Sequence, residues 1–202
     1  MSWEGIYKKY SNLSGKEVVV GIKDWEQRLK IIFSWIKHMP RNSKILDCGC
    51  GIGIAGVALQ ENGFRNIIGI DIDKKNVSIA KRFYKVYRMN LEKIEFKSKI
   101  FDVILALNVI EHLNHPEKFV NSIKKILKSN GYLILSLPNE IWFRKVLGLV
   151  PKDPTHKQSW SCFSFKKFLI TNGFEILDIK AVGRIPFYFA SQTFMILARL
   201  RK

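Results

Sequence analysis

Short apolar runs suited to β-strands alternate with segments of helical period from about Lys23 to the end of the chain. Trp25, Leu29, Ile32, Phe33 and Ile36 recur at helical spacing, and Pro40 closes that segment. Lys44–Cys48 then reads as a buried strand, followed by glycines and a small-residue helix over residues 54–61 that Asn62 and Gly63 stop. Residues 66–70 form a second strand ending in Asp71. The pattern predicts a helix over 74–89, with Ile79, Phe83, Val86 and Tyr87 inward and Lys74, Lys81, Lys85 and Arg88 outward. A third short strand is expected at 94–96 and a fourth at 101–107. Pro116 opens a helix with the stripe Phe119, Val120, Ile123, Ile126 and Leu127, which Asn130 and Gly131 end; residues 132–137 make the fifth strand. The last two strand-like runs, 174–181 and 191–200, have only Gly183 and Pro186 as punctuation between them, so they pair antiparallel at one edge. Such an order implies an α/β domain, a parallel sheet with helices on both faces.

Composition narrows the field. The 202 residues are 47% hydrophobic, enough for one real core, and no apolar run approaches the length of a membrane span. The opening MSWEGIYKKYSN lacks the apolar centre of a secretory signal, so the expected location is cytoplasmic. Three cysteines, two of them Cys48 and Cys50, make neither a disulfide framework nor a zinc site. The formal charge of +17 invites phosphate-rich partners, an anionic membrane face or nucleic acid. The basic residues are scattered from Lys8 to Lys202 with no basic arm, which fits a solvated lysine-rich surface better than a dedicated nucleic-acid face.

The glycine turn carries the first chemistry. Asp47-Cys48-Gly49-Cys50-Gly51-Ile52-Gly53 lies where the first strand hands over to a helix, and glycines there let backbone approach a ligand closely. Asp71, at the end of the neighbouring strand, can accept both hydroxyls of a ribose. Gly51, Gly53 and Gly56 with Asp71 also satisfy the dinucleotide fingerprint. Asp47 decides between the two cofactor classes: a carboxylate at the strand end repels a pyrophosphate and welcomes an ammonium and a sulfonium. No Tyr-x-x-x-Lys pair occurs, and the chain is too short for a separate dehydrogenase substrate domain.

KILDCGCGIG (44–53) and IIGIDID (67–73) resemble the first motif and second-strand acid of the class I S-adenosylmethionine-dependent methyltransferases, and FDVILALNVIEHLNHPEKF (101–119) and SNGYLILSLPN (129–139) continue the match in order. The resemblance implies a Rossmann-like, doubly wound, mostly parallel seven-stranded sheet with an antiparallel C-terminal edge hairpin. It divides the single domain into an N-terminal helical segment (1–43), a cofactor-binding core (44–139), a lid or substrate insertion (140–163) and a C-terminal helix and strand pair (164–202). The implied cofactor is S-adenosyl-L-methionine. Gly49, Gly51 and Gly53 would hold its methionine end, Asp47 would assist the ammonium, Asp71 would bind the ribose and Ile72 would lie against the adenine. Leu107 and Asn108 would supply a carbonyl or amide near the methionine moiety, while Asp73 is expected as a helix cap. One departure stands out: with a third strand at 94–96, the loop that usually reads the adenine amino group is nearly absent, leaving Glu95 or a backbone amide for that role.

Residues 137–177 look like the ubiquinone-biosynthesis O-methyltransferase branch, within the methyltransferase type 11 and 23 group, which implies a small-molecule or lipid-like acceptor; a nucleic-acid methyltransferase is the alternative that the charge suggests. Asn108-Val109-Ile110-Glu111-His112 resembles that branch's divalent-metal motif, but its first acid is Asn108 here, so a metal on Glu111 and His112 is not expected. His156 and His112 are the candidate catalytic residues. Ile141, Trp142, Phe143, Val146 and Leu147, interrupted by Arg144 and Lys145 and bounded by Pro151 and Pro154, suggest a lid with a possible peripheral contact to an anionic membrane.

Overall fold

A computed structural model describes residues 5–6, 9–10, 16–139, 153–183, 191 and 193–201, with the side chains of the first long helix from Trp25 onward. The lid residues 141–147, together with Pro151 and Pro186, lie outside the described residues. The described elements are α1 (Lys16–Ile36), β1 (Lys44–Cys48), α2 (Ile54–Glu61), β2 (Asn66–Asp71), α3 (Lys74–Ala80), β3 (Lys85–Arg88), β4 (Phe101–Leu107), a 3-10 turn (Ile110–His112), α4 (Pro116–Ile126), β5 (Leu127–Pro138), α5 (Cys162–Thr171), β6 (Phe174–Val182) and β7 (Thr193–Leu200).

The seven strands run in the order β3-β2-β1-β4-β5-β7-β6. Pairs from β3 through β5 are parallel, and β7 is antiparallel to both β5 and β6. Strand alternation sends Ile45, Val103, Leu105 and Ile134 to a face covered by α1 and α2, where Leu29, Ile32, Ile36, Val57 and Leu59 are buried. Leu46, Ile104, Ala106, Leu133 and Leu135 point to the other face, under Phe119 and Ile123 of α4 and Phe165 and Leu169 of α5. Both faces are apolar because both are covered, as a doubly wound sheet requires. The chain order reverses between β1 and β4, and a crevice opens there at the carboxyl ends of the strands. Among the described residues, no helix is long and apolar enough to cross a membrane.

Three expected boundaries are corrected. The helix over 74–89 ends at Ala80, and the third strand is Lys85–Arg88 instead of 94–96. Tyr84 is buried while Tyr87 is 38% exposed, so the helical stripe is not the one that packs. Residues 85–88 instead pair with Ile68–Asp71 and satisfy the outer backbone edge of β2. The helix opened by Pro116 stops at Ile126 rather than at Asn130. Leu127 is fully buried and pairs with Phe101, which draws the chain into an extended conformation four residues early.

Candidate active site

The turn between β1 and α2 is built around its left-handed positions. Gly51 has φ +53, and a Cβ placed there would meet nothing within 4 Å, so open space lies directly above its backbone. Its N–H donates to Asp71 Oδ2 at 2.8 Å, and the other carboxylate oxygen of Asp71 accepts from the Asp73 N–H at 2.8 Å. Asp71 thus fastens the glycine turn to the end of β2 while its carboxylate keeps lone pairs for a ligand. Asp73 caps α3 by accepting from the Asn76 N–H, the role expected of it.

A cavity of about 710 Å³ opens over this turn. Of the residues singled out in the sequence, Gly49, Gly51, Asp71, Ile72, Asp73, Asn108 and His112 line it. Ile72 is 60% exposed, an apolar side chain left standing at the cavity wall. Asp47, Gly53, Leu107 and His156 lie outside the lining: Asp47 is 2% exposed, Leu107 is 6% exposed, Gly53 caps α2, and His156 reaches the site through its contact with His112.

With β3 at 85–88, the loop that follows it runs through residues 89–100 and is not short. Asn90, Leu91 and Glu92 of this loop line the cavity, whereas Glu95 does not. Glu92 is committed to the fold, accepting from the Asn114 and His115 N–H groups, which holds its carboxyl below the ordinary range. Asn90 and Leu91 are cavity residues that the sequence reading missed, because placing the third strand late hid them.

Beneath the turn, the Tyr84 hydroxyl donates to Asp47 Oδ2 at 3.2 Å. Burial is the main influence on the Asp47 carboxyl and pushes it up to about 7, with the charge of Asp71 adding to the rise and the Tyr84 hydrogen bond opposing it. The Tyr84 ring occupies space that side chains at Gly53, Gly56 and Gly69 would fill; at Gly56 a Cβ would sit 2.2 Å from Tyr84 Cζ. Tyr84 itself was legible only as one more residue of a supposed helix.

At the other rim, β4 ends in Asn108, a non-glycine residue with φ +52. Its N–H donates to the Ser136 carbonyl at 2.9 Å, and its Oδ1 accepts from Ser136 Oγ at 2.6 Å. These bonds hold a backbone conformation that Asn tolerates better than most residues. The 3-10 turn follows, and the segment containing Thr155 and His156 lies across it. Lys157 and Gln158 N–H groups both donate to the Glu111 carbonyl. The His112 and His156 rings meet edge-on with centroids 4.7 Å apart. The two candidate histidines are therefore brought together, with Glu111 beside them.

The arrangement can take a ribosyl ligand with a cationic end. The open space over Gly51, the two carboxylates of Asp71 and Asp47 and the exposed Ile72 suit S-adenosylmethionine better than a pyrophosphate.

Comparison with known proteins agrees. A family model described as a methyltransferase domain, Methyltransf_23, matches residues 24–179. A probable S-adenosylmethionine-dependent methyltransferase of Mycolicibacterium smegmatis is 27% identical over 176 residues, covering 84% of this chain and 68% of that protein. A ubiquinone biosynthesis O-methyltransferase of Pelagibacter ubique is 33% identical over 119 residues, 54% of this chain and 48% of that one. The chain thus spans from about half to two thirds of the length of these curated relatives. The crystal structure of an S-adenosylmethionine-dependent methyltransferase from Clostridium acetobutylicum superposes with a TM-score of 0.72 at 15% identity, covering 97% of this chain and 99% of that one. The chain belongs to the methyltransferase-domain family, among the class I S-adenosylmethionine-dependent methyltransferases.

Proposed function

We propose that this methyltransferase transfers the methyl group to a hydroxyl oxygen of a small-molecule or lipid-like acceptor. The observation that carries the reading is the meeting of His112, which lines the cavity beyond the end of β4, with His156 and Glu111 behind it. A hydroxyl is a poor nucleophile until its proton is held elsewhere, and a cluster of imidazoles and a carboxylate is suited to that task. The likeness to ubiquinone biosynthesis O-methyltransferases supports an oxygen acceptor of this kind.

S-adenosylmethionine, when bound, supplies a sulfonium-activated methyl group. Gly49 and Gly51 offer backbone to its methionine end, and Asp47 offers negative charge from below the turn. Asp71 accepts from the ribose hydroxyls. Ile72 and Leu91 would flank the adenine and Asn90 would read its edge, since all three line the cavity. Asn108, locked to Ser136, fixes the wall between cofactor and acceptor. The acceptor-side cluster holds the hydroxyl proton.

The test is incubation of the purified chain with radiolabelled S-adenosylmethionine and cell extract, followed by separation of lipid, small-molecule, RNA and protein fractions. Label in the lipid or small-molecule fraction, as a methyl ether stable to mild alkali, is expected. Label confined to RNA or protein would overturn the oxygen-acceptor reading.

A further inference from the structure

β1, β2 and β3 begin on Lys44, Asn66 and Lys85. The three strands run parallel, so these residues share the edge of the sheet opposite the cofactor crevice. A groove of about 460 Å³ crosses that edge, a volume within the range of small-molecule sites. Lys44, Lys85 and Arg65, the last in the turn before β2, line it, and among the described residues no carboxylate does. The acids that adjoin the groove are already engaged. Asp102, which accepts from the Lys44 N–H at 2.8 Å, pairs with the Lys128 ammonium at 2.7 Å. Glu61, next in the chain to the lining residue Gln60, pairs with Lys9. Among the described residues, none of the three lining cations takes a carboxylate partner.

Two of the ammonium groups rest on aromatic rings instead. Lys44 Nζ lies 5.7 Å from the centre of the Phe101 ring, and Lys85 Nζ lies 5.4 Å from that of Tyr87. Tyr87, Phe96 and Phe101 form one chain of ring contacts, which places both lysines on the same face of the sheet. The rings restrict the two charges without neutralising them. A cleft lined by one sign of charge focuses its field and concentrates ions of the other sign. Beside the charges, Ile67, Ile68 and Tyr84 give the groove apolar surface. Three cations spread over neighbouring strands in a bounded groove match two or three linked phosphates; an extended nucleic-acid backbone would call for a longer basic track. We propose that this groove binds a small di- or triphosphate, free or esterified, on the side of the sheet away from the methyl-transfer site. Such binding is independent of the oxygen-acceptor reading.

The experiment is calorimetric titration of the full chain with tripolyphosphate, CTP and a single-stranded RNA oligonucleotide, at low and at high salt. S-adenosylhomocysteine is kept saturating, so that the cofactor crevice is occupied throughout. One tripolyphosphate is expected per chain, with affinity falling as salt rises. Lys44→Gln, Arg65→Gln and Lys85→Gln each weaken it roughly 3- to 10-fold, and the triple variant loses it. Lys167→Gln, on α5, keeps it. CTP binding more tightly than tripolyphosphate assigns the groove to an esterified phosphate, and equal or weaker binding of CTP assigns it to a free one. Failure of both to bind, binding that survives in the triple variant, or RNA bound more tightly than either through the same three residues would overturn the proposal. Melting temperatures close to wild type show that each variant is folded.

Discussion

The Tyr84 hydroxyl and the Asp47 carboxylate form a buried hydrogen bond of 3.2 Å directly under the glycine turn. It holds a carboxyl at the end of β1, and burial pushes that carboxyl up to about 7 against the lowering effect of the Tyr84 and Gly56 hydrogen bonds. In the unfolded chain the same group ionises near 4. Between about pH 4 and pH 7 the folded state therefore binds the extra proton, so this group makes stability fall as pH rises through that window and level off above it. Each pH unit of the displacement corresponds to about 1.4 kcal/mol. Asp47→Asn, whose amide oxygen can still accept from Tyr84, is expected to flatten the decline and to melt above wild type at pH 8. Thermal denaturation of both proteins from pH 4 to 8 checks this; parallel curves would refute it.

The same carboxyl links cofactor binding to protons. At pH 6 most Asp47 groups are protonated, and an ammonium docked above the turn favours the ionised form. Binding of S-adenosylhomocysteine is expected to release protons at pH 6 and fewer at pH 8, with affinity rising over that interval. Calorimetry in buffers of different ionisation heat measures the release. Asp47→Asn should bind more weakly and without proton release, and a release that persists in the variant would assign it to another group.

Asp71 has two jobs, and two substitutions separate them. Asp71→Asn keeps one acceptor oxygen for the turn but loses the charge and the second acceptor that ribose hydroxyls need. A hydrogen bond to a charged group contributes about 1.5–3 kcal/mol, so cofactor affinity is expected to fall roughly 10- to 100-fold. Asp71→Ala also orphans the Gly51 and Asp73 N–H groups and should lower the melting temperature as well. Unchanged affinity in Asp71→Asn by calorimetry would remove the ribose assignment.

What could be read from the chain follows from how local each feature is. Lys44–Cys48 and Phe101–Leu107 are central strands buried on both faces, so their apolar runs stand out between turn residues. Lys85–Arg88 is an edge strand in which only Val86 is buried, and its residues also satisfy a helical period, so nothing in the pattern marks it. The error propagated: misplacing β3 made the following loop look short and concealed Asn90 and Leu91. The glycine turn and Asp71 were legible because the fingerprint is compact in sequence. The joining of Thr155 and His156 to His112 spans more than forty residues and depends on how the segment before α5 crosses the 3-10 turn, which no local pattern encodes.

Tyr84 and Gly56 illustrate the same point from the packing side and allow a direct test. The third glycine of such a turn ordinarily permits close helix–strand packing, and here Gly56 makes room for one phenol ring. A methyl group at Gly56 would overlap Tyr84 Cζ at 2.2 Å, and the ring also lies close to Gly53 and Gly69, where an added Cβ would sit 2.9 and 3.0 Å from its Cε atoms. Overpacking of this kind costs about 1–3 kcal/mol, so Gly56→Ala is expected to destabilise the chain by that amount. Tyr84→Ala removes the ring and the Asp47 hydrogen bond and should destabilise it independently, by leaving a cavity. In the double variant the new methyl fills part of that cavity, so the combined loss should be smaller than the sum of the two by at least about 1 kcal/mol. Urea unfolding of the four proteins measures the coupling, and strictly additive losses would mean that Gly56 is required for a reason other than Tyr84.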